Sequence, residues 1–248
     1  YLNSLGNRSF MPDSLKVKSE YIPYIYSDEE IRKIMHYADN LIIREQKYHA
    51  TSFQLKVPMV IRILYGCGTR LGETLSLRRK DVDFKSGTIF LKKTKFSKER
   101  VIPIHESLLV ILERYCLTLG ILHNPEAFLF PGKNPEHHYT TRQMASWFSE
   151  ILRRADIDQR EKGPHERGAC LHCFRHLFVL KSMQQLEAAG RPVDMNDLLL
   201  PTYLGHDRLI DTDQYMRFSG LRVPEAMDAF ETFTTGLIPH VEVPYEEE

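Results

Sequence analysis

The amino-acid sequence lacks any apolar run of the roughly 18 residues that a membrane-spanning helix needs. Hydrophobic residues nevertheless make up 42% of the 248 residues, with a single Trp among them, so the chain can bury a sizeable core. Its start also lacks a basic segment followed by an apolar one, the pattern that is typical of a secretory signal. The chain begins at Tyr1 rather than Met, and we expect further residues before it in the intact protein.

Cysteine is scarce. The four cysteines are Cys67, Cys116, Cys170 and Cys173. A disulfide framework is typical of short secreted chains, whereas this chain is long and its sequence contains no signal pattern. We therefore expect reduced thiols and a cytoplasmic protein without a membrane partner.

Net charge is absent too, because 33 Lys and Arg residues balance 33 Asp and Glu residues. Nucleic-acid-binding proteins are often strongly basic, but a local basic face is enough to attract DNA. Acidic residues at 242–248 lower the total, while basic residues cluster elsewhere. The candidate DNA-binding residues are Arg78, Arg79, Lys80, Lys98 and Arg100. Solvated surface charge is the alternative interpretation of both clusters.

The hydrophobic pattern predicts mostly helices. Residues 1–23 are polar and broken by proline, which is typical of a linker. Ser27, with Glu30 three residues later, predicts a capping box and the first helix. Apolar residues at helical spacing predict further helices at 55–66, near 71, 108–119, from 140 or 141, 171–189, before 204, 210–218 and 224–234.

A small antiparallel β-sheet is predicted between the second and fourth helices. Apolar residues alternate or run together at 82–84, 88–91 and 101–104. One of the turns between these strands is strongly basic. Residues 128–131 predict a short buried extended segment. The predicted fold class is mostly α with a small antiparallel β-sheet.

Five short segments occur in order along the chain. They are Gly68-Thr69-Arg70-Leu71-Gly72-Glu73, residues 94–103, His172-Cys173-Phe174-Arg175-His176, Leu204-Gly205-His206, and Tyr215. One segment alone would arise by chance in many proteins, but five in this order and spacing would not. Over roughly residues 24–215 the set resembles the tyrosine recombinases, also called phage integrases. The resemblance implies the tyrosine recombinase catalytic-domain fold and a site-specific DNA recombinase or integrase of a mobile element or a chromosome-resolution system.

The chemistry of such an enzyme agrees with these residue types. Breaking a phosphodiester without a metal needs a nucleophile, cations around the phosphorus, and an acid for the departing 5′ oxygen. The resemblance assigns Arg70 and Arg175 to the scissile phosphate, where a guanidinium makes two parallel hydrogen bonds. Tyr215 matches the nucleophile that forms a 3′-phosphotyrosine. His172 matches the residue that accepts the phenolic proton or binds the phosphate.

A lysine on the basic turn completes the implied acid–base set. Lys95 matches the family lysine that protonates the leaving 5′ hydroxyl. A hairpin shifted by a few residues would instead present Lys92, Lys93 or Lys98, so these remain alternatives.

Two further positions support the implied site. His206 matches a second histidine, whose ring N–H donates to a nonbridging phosphate oxygen. Glu73 matches an acidic position that braces Arg70 or a neighbouring histidine. A plain carboxylate at a helix start is the alternative interpretation of Glu73.

The resemblance also implies boundaries and partners. We expect 1–23 to be a linker from a missing N-terminal DNA-binding (core-binding) domain, 24–219 the catalytic domain, and 220–248 a C-terminal helix and acidic tail exchanged between protomers. The expected partners are double-stranded DNA and copies of the chain, which form a tetramer on synapsed DNA. Accessory DNA-bending or directionality proteins are compatible with this expectation. No cofactor and no metal are expected.

Some features of the sequence are compatible with other interpretations. Residues 187–197 are read as an inserted loop, because Arg175 and His206 are further apart than in compact members. Cys170-x-x-Cys173 beside His165, His172 and His176 suggests zinc, but no second Cys pair or well-spaced His pair completes four ligands. A type IB topoisomerase-like enzyme uses similar residues and is distinguished by the absence of partner exchange. A non-enzymatic DNA-binding module would form no covalent adduct.

Overall fold

A computed structural model describes residues 23–41, 50–92, 99–158, 168–188 and 203–204. These ranges contain α1 (Asp28–Asp39), α2 (Ala50–Cys67), α3 (Leu71–Leu75), α4 (Glu106–Thr118), α5 (Thr141–Ala155) and α6 (Cys173–Ala188), with strands β1 (Val82–Asp83), β2 (Thr88–Leu91) and β3 (Arg100–Pro103). The prediction of a mostly helical chain with a small antiparallel sheet is confirmed. None of the helices in these ranges is long and apolar enough to cross a bilayer.

Helix α1 begins where the sequence predicts it. The Ser27 hydroxyl accepts a hydrogen bond from the Glu30 backbone N–H at 3.2 Å, and the Glu30 carboxylate accepts one from the Ser27 N–H at 2.7 Å. The predicted capping box is therefore confirmed. It satisfies backbone donors that a helix start leaves without intrahelical partners. Ile31 and Ile34 on the next turn are buried against the core.

Helix α2 lies at the centre of the core and starts about one turn earlier than predicted. A start near residue 55 would have placed Pro58 in the first turn, where proline is tolerated. The helix instead begins at Ala50 and carries Pro58 inside. The extra turn is held by tertiary packing, because the buried Phe53 meets Trp147 of α5 edge-on, with ring centroids 4.5 Å apart.

The sheet has the order β1-β2-β3 and is antiparallel throughout. Val82 pairs with Ile89, and Ile89 pairs with Ile102. All three side chains are buried, whereas Val101 is 61% exposed. Successive residues of a strand point to opposite faces, so one face of this sheet covers the core. Residues 93–98, which join β2 to β3, lie outside the described residues.

The predicted extended segment at 128–131 is buried only at its centre and forms no regular strand. Leu129 and Phe130 are fully buried. Isolated bridges join Arg78 to Phe128 and Pro131 to His138. Helix α5 follows with Thr140 as its N-cap, one of the two positions predicted for it. A capping box between Thr140 and Gln143, which was not predicted, completes this helix start.

Helix α6 starts at Cys173, two residues later than predicted. His172 therefore lies in the turn before the helix, and its carbonyl accepts hydrogen bonds from the backbone N–H groups of Arg175 at 3.0 Å and His176 at 3.4 Å. Phe174 is fully buried and lies 5.7 Å from Phe148 of α5, measured between ring centroids. This packing fixes the start of α6 beside the turn that follows α2.

Several predicted segments lie outside the described residues. They are nearly all of the linker at 1–23, the inserted loop at 187–197 apart from its first two backbone positions, and the helices at 210–218 and 224–234. They stay predictions.

Candidate active site

Arg175 is a buried cation in the first turn of α6, with 2% of the residue exposed. One terminal nitrogen, Nη1, donates to the Gly68 carbonyl at 2.8 Å, and Nη2 donates to the Leu204 carbonyl at 2.8 Å. Burying a charge is costly unless it is hydrogen-bonded, and a guanidinium stays charged at any relevant pH. These bonds tie α6, the turn after α2 and residue 204 around one positive charge.

The turn that receives Arg175 depends on Gly68. Its φ of +58° lies in the left-handed region, which glycine adopts without steric cost. A Cβ at this position would also lie 2.4 Å from Cδ1 of Phe178 on α6. The missing side chain therefore allows α6 to approach closely enough for Arg175 to reach the Gly68 carbonyl.

Arg70 follows this turn, and the Glu73 carboxylate binds both the backbone and the side chain of Arg70. The Arg70 backbone N–H donates to Glu73 Oε2 at 3.0 Å, and Arg70 Nη1 donates to Oε1 at 2.9 Å. Arg100 of β3 binds the same carboxylate from the other side, with Nη2 at 2.8 Å from Oε2 and Nη1 at 3.2 Å from Oε1. One carboxylate thus joins the start of α3 to the sheet through two guanidinium groups.

The environment of Glu73 keeps it ionised. Burial acts to raise the pKa of this carboxyl, but hydrogen bonds from Arg100 and Arg70 outweigh burial and lower the pKa below its ordinary value. Hydrogen bonds to the charged form favour that form. Near neutral pH the three side chains of Arg70, Arg100 and Glu73 therefore carry two positive charges and one negative charge together.

His172 and His176 lie together at the start of α6. Their ring centroids are 4.8 Å apart and the rings are nearly perpendicular. Burial, aided by His172 and Arg175, lowers the pKa of His176 to about 3, so this ring is neutral at physiological pH. His172 is exposed. Of the two rings, His172 is therefore the one that an incoming substrate can reach.

A cleft of about 400 Å³ opens beside His172. Its walls include Leu71 at the start of α3, Arg142 and Ser149 of α5, and Cys170. Leu71 directly follows Arg70 in the chain. A ligand in this cleft would lie against His172 and against the segment that carries Arg70.

The phage integrase family model matches residues 25–219, which is most of the chain. The chain belongs to the phage integrase family. It is similar to the putative integrase/recombinase y4rB of Sinorhizobium fredii, with 27% identity over 228 residues that cover 84% of this chain and 66% of that protein. The chain spans about half to two thirds of the length of the first curated relatives it matches.

Solved structures show the same fold. The XerH site-specific recombinase, bound to a palindromic difH substrate in a post-cleavage complex, matches with a TM-score of 0.62 and 22% identity over 87% of this chain and 56% of that one. The crystal structure of XerA recombinase matches with a TM-score of 0.61 and 17% identity over 96% of this chain and 72% of that one. The predicted catalytic-domain fold of tyrosine recombinases is confirmed.

Four residues predicted for the integrase site meet at one edge of this fold. Arg175 binds the turn that precedes Arg70, Glu73 holds Arg70, and His172 precedes the helix that carries Arg175. Their catalytic and supporting roles stay predictions.

The remaining predicted catalytic residues, Lys95, His206 and Tyr215, lie outside the described residues. Leu204 is described, and its carbonyl binds Arg175. Leu204, two residues before His206 in the chain, is therefore anchored at the site. Lys92, an alternative to Lys95, forms an ion pair with Asp81 at 2.5 Å.

The basic residues predicted to bind DNA differ in their surroundings. Lys80 lies 2.6 Å from a Glu126 carboxylate oxygen. Arg78 lies over the Phe128 ring, with its guanidinium carbon 4.1 Å from the ring centroid. Arg79 donates to two backbone carbonyls at 2.9 and 3.0 Å. Lys98 lies outside the described residues, and the DNA-binding role of this set stays a prediction.

Two features of the site were not predicted from the sequence. The first is the inward direction of Arg100, whose side chain is 9% exposed. Strand alternation could have indicated it, because Arg100 is two residues from the buried Ile102 and shares its face. The second is Tyr203, which donates to the Cys67 carbonyl at 3.0 Å and stacks on Phe178. No local pattern marks Tyr203.

The two thiols near His172 do not build a metal centre in the part of the chain that the structure describes. The Sγ atoms of Cys170 and Cys173 are 3.5 Å apart. Over that part, no three side chains among His, Cys, Asp and Glu are grouped to hold an ion. His165, which belonged to the zinc alternative, lies outside it.

Proposed function

We propose that this phage integrase family member is a site-specific DNA recombinase or integrase that cleaves and rejoins strands through a 3′-phosphotyrosine on Tyr215. The observation that carries the proposal is that the Arg175 guanidinium is anchored on the turn that leads directly into Arg70. Arg175 is bound to the Gly68 carbonyl, and Arg70 follows two residues later. The exposed His172 lies beside them at the start of α6.

The two arginines are suited to hold and stabilise a phosphate. A phosphodiester under attack gains negative charge on its nonbridging oxygens, and fixed cations lower the energy of that state. Both guanidinium groups are pre-positioned, Arg70 by Glu73 and Arg175 by two backbone carbonyls. The proposed reaction uses this charge in place of a metal ion.

In the proposed reaction the Tyr215 oxygen bonds to phosphorus while the bond from phosphorus to the 5′ oxygen breaks. A phenol has an ordinary pKa of about 10, so His172 accepts its proton during the attack. Lys95 supplies a proton to the departing 5′ oxygen. A 5′ hydroxyl of the partner strand then attacks the phosphotyrosine, which restores the phosphodiester and frees Tyr215.

The proposed substrate is double-stranded DNA held by four copies of the chain. The structural likeness to XerH bound to its difH substrate supports DNA as the partner. Affinity for phosphates should fall steeply as salt rises, because each neutralised phosphate releases counterions. Residues 1–23 would connect this domain to a preceding DNA-binding domain.

Trapping with a suicide duplex tests the proposal. A duplex nicked close to the cleavage site loses a short 5′-hydroxyl fragment after attack, so the covalent intermediate accumulates. We expect a protein–DNA adduct from the wild type, with the phosphate on Tyr215, and none from Tyr215→Phe. DNA binding by a folded Tyr215→Phe variant should remain. A wild type that binds the duplex but forms no adduct would favour a binding module.

The proposed exchange of residues 220–248 between protomers has its own test. The predicted helix at 224–234 contains Phe230 and Phe233 on its apolar face. Truncation after Ser219 should leave adduct formation on a suicide duplex but reduce four-copy assemblies on full sites, measured by light scattering. An unchanged assembly would remove this segment from the proposal.

A further inference from the structure

The carboxylate of Glu73 is shared by two guanidinium groups of different exposure. Arg100 contacts both of its oxygens, at 2.8 and 3.2 Å, and has a side chain only 9% exposed. Arg70 contacts one of these oxygens at 2.9 Å through its side chain, which is 25% exposed. Glu73 itself is 6% exposed. Arg100 therefore lies on the inner side of the carboxylate and Arg70 on the solvent side.

In this arrangement Glu73 has two opposite effects on the binding of a phosphate by Arg70. A carboxylate 2.9 Å from Arg70 orients the guanidinium, but it also opposes the approach of an anion. Arg70 and Glu73 alone form a neutral pair, which attracts a phosphate weakly. The second cation makes the three-residue group net positive. Removing one partner of a buried ion pair leaves an uncompensated charge, here an anion next to Arg70.

We propose that Arg100 is a positioning residue that neutralises Glu73, so that Glu73 can orient Arg70 without cancelling its attraction for the scissile phosphate. This rests on the proposed function, in which Arg70 binds that phosphate. Arg100 then acts through Glu73 and touches no DNA. Its terminal nitrogens are both engaged by the carboxylate, which separates this role from that of a phosphate-contacting surface cation.

The surroundings of Tyr203 also support a role for Arg100 inside the site. Burial raises the pKa of the Tyr203 hydroxyl, while Arg100 and Arg175 act in the opposite direction. Both cations therefore favour the ionised form of one partly buried phenol. Arg100 thus adds positive charge on the protein side of the same edge where Arg175 is buried.

A double-mutant cycle tests the neutralising role. Single-turnover cleavage of the suicide duplex is measured for wild type, Arg100→Gln, Glu73→Gln and the double variant, with DNA affinity measured in a Tyr215→Phe background. We expect Arg100→Gln to slow cleavage by about 10- to 100-fold while changing affinity less than about 3-fold. The double variant should cleave at least about 5-fold faster than Arg100→Gln, because the uncompensated anion is gone.

Several outcomes would overturn the proposal. A double variant no faster than Arg100→Gln would show that charge compensation is not the role of Arg100. A loss of DNA affinity as large as the loss of cleavage would make Arg100 a DNA contact. Arg100→Lys keeps the charge and should stay within about 10-fold of wild type. A deeper loss by a folded Arg100→Lys would contradict the proposal, even if Arg100→Gln failed to fold.

Matched controls separate this proposal from the proposed function. Arg62 forms a similar two-bond pair with Asp39, with both distances at 2.8 Å, and lies on α2 away from the site. Arg62→Gln should leave cleavage unchanged, which accounts for general effects of losing an arginine. If the wild type forms no Tyr215 adduct, the proposed function fails. If the adduct forms and Arg70→Ala abolishes it while the cycle shows no rescue, only the role of Arg100 fails.

Discussion

The arginines at the start of α6 and on β3 differ from the basic cluster at 78–80 in what surrounds them. Arg175 and Arg100 are buried or nearly so, and they are held by backbone carbonyls or a buried carboxylate. Lys80 is half exposed and shares the exposed Glu126 with Arg78. In the sequence, both the two arginines and the cluster at 78–80 are simply positively charged side chains. A buried, anchored cation can act on a reacting phosphate, whereas a surface pair contributes mainly to the field around the molecule.

The largest expected effect in this comparison is at Arg175. Arg175→Ala should slow single-turnover cleavage by about 10²- to 10³-fold, because one fixed phosphate donor is lost. It should also lower the free energy of unfolding by about 1 to 3 kcal/mol, since two buried carbonyls lose their donor. Cleavage assays and urea unfolding measure the two effects. Arg62→Ala serves as the control, and equal rates for the two variants would contradict the role of Arg175.

Gly68→Ala should have the next largest effect, on stability. The left-handed backbone and the overlap of the added Cβ with Phe178 should together cost about 2 to 3 kcal/mol in the free energy of unfolding. Gly72 is the matched control, because a Cβ there meets nothing within 4 Å and alanine favours a helix. Urea unfolding should show a loss for Gly68→Ala alone. Equal stability for both variants would show that the turn relaxes.

A smaller effect concerns pH and His176. Its pKa is lowered from 6.5 to about 3, so the unfolded state binds more protons between these values. Stability should therefore fall as pH drops from about 6.5 toward 3, by at most about 1.4 kcal/mol per pH unit. His176→Gln should remove this part of the dependence, whereas the exposed His123→Gln should track the wild type. Parallel curves for wild type and His176→Gln between pH 7.5 and 5 would contradict the buried neutral ring.

The smallest effect is expected in the basic cluster. Lys80→Ala should change the free energy of unfolding by less than about 0.5 kcal/mol, because exposed ion pairs contribute little. If Lys80 contacts a phosphate, the slope of log affinity against log salt should fall by about 1. Fluorescence anisotropy at several salt concentrations measures this slope. A large loss of cleavage at saturating DNA would show that Lys80 acts on the reaction itself, which would contradict the difference drawn between the two regions.

Local signals in the sequence were enough for some elements of the fold. The spacing of Ser27 and Glu30 predicts the capping box of α1, and the alternation around Ile89 and Ile102 predicts the sheet. Both depend on contacts between residues that are near in the chain or directly paired. The start of α2 was missed because the contact of Phe53 with Trp147 spans distant elements, and no local pattern encodes it.

The candidate site likewise contains residues that the sequence predicts and residues that it does not. Motif order alone marked Arg70, Glu73, His172 and Arg175, and the structure brings their segments to one edge. The surroundings of Arg100 were not predicted, because its partner Glu73 is 27 residues away in the chain. Tyr203 was missed for a similar reason, since its contacts are with Cys67 and Phe178 on two other helices.

The most direct test of the central claim is to locate the covalent bond to DNA. A suicide duplex is incubated with the wild type, the adduct is digested, and mass spectrometry identifies the modified residue and the attached DNA end. We expect a 3′-phosphate on Tyr215 and no adduct from Tyr215→Phe. A linkage on another side chain, or turnover by Tyr215→Phe at the wild-type rate, would contradict the account.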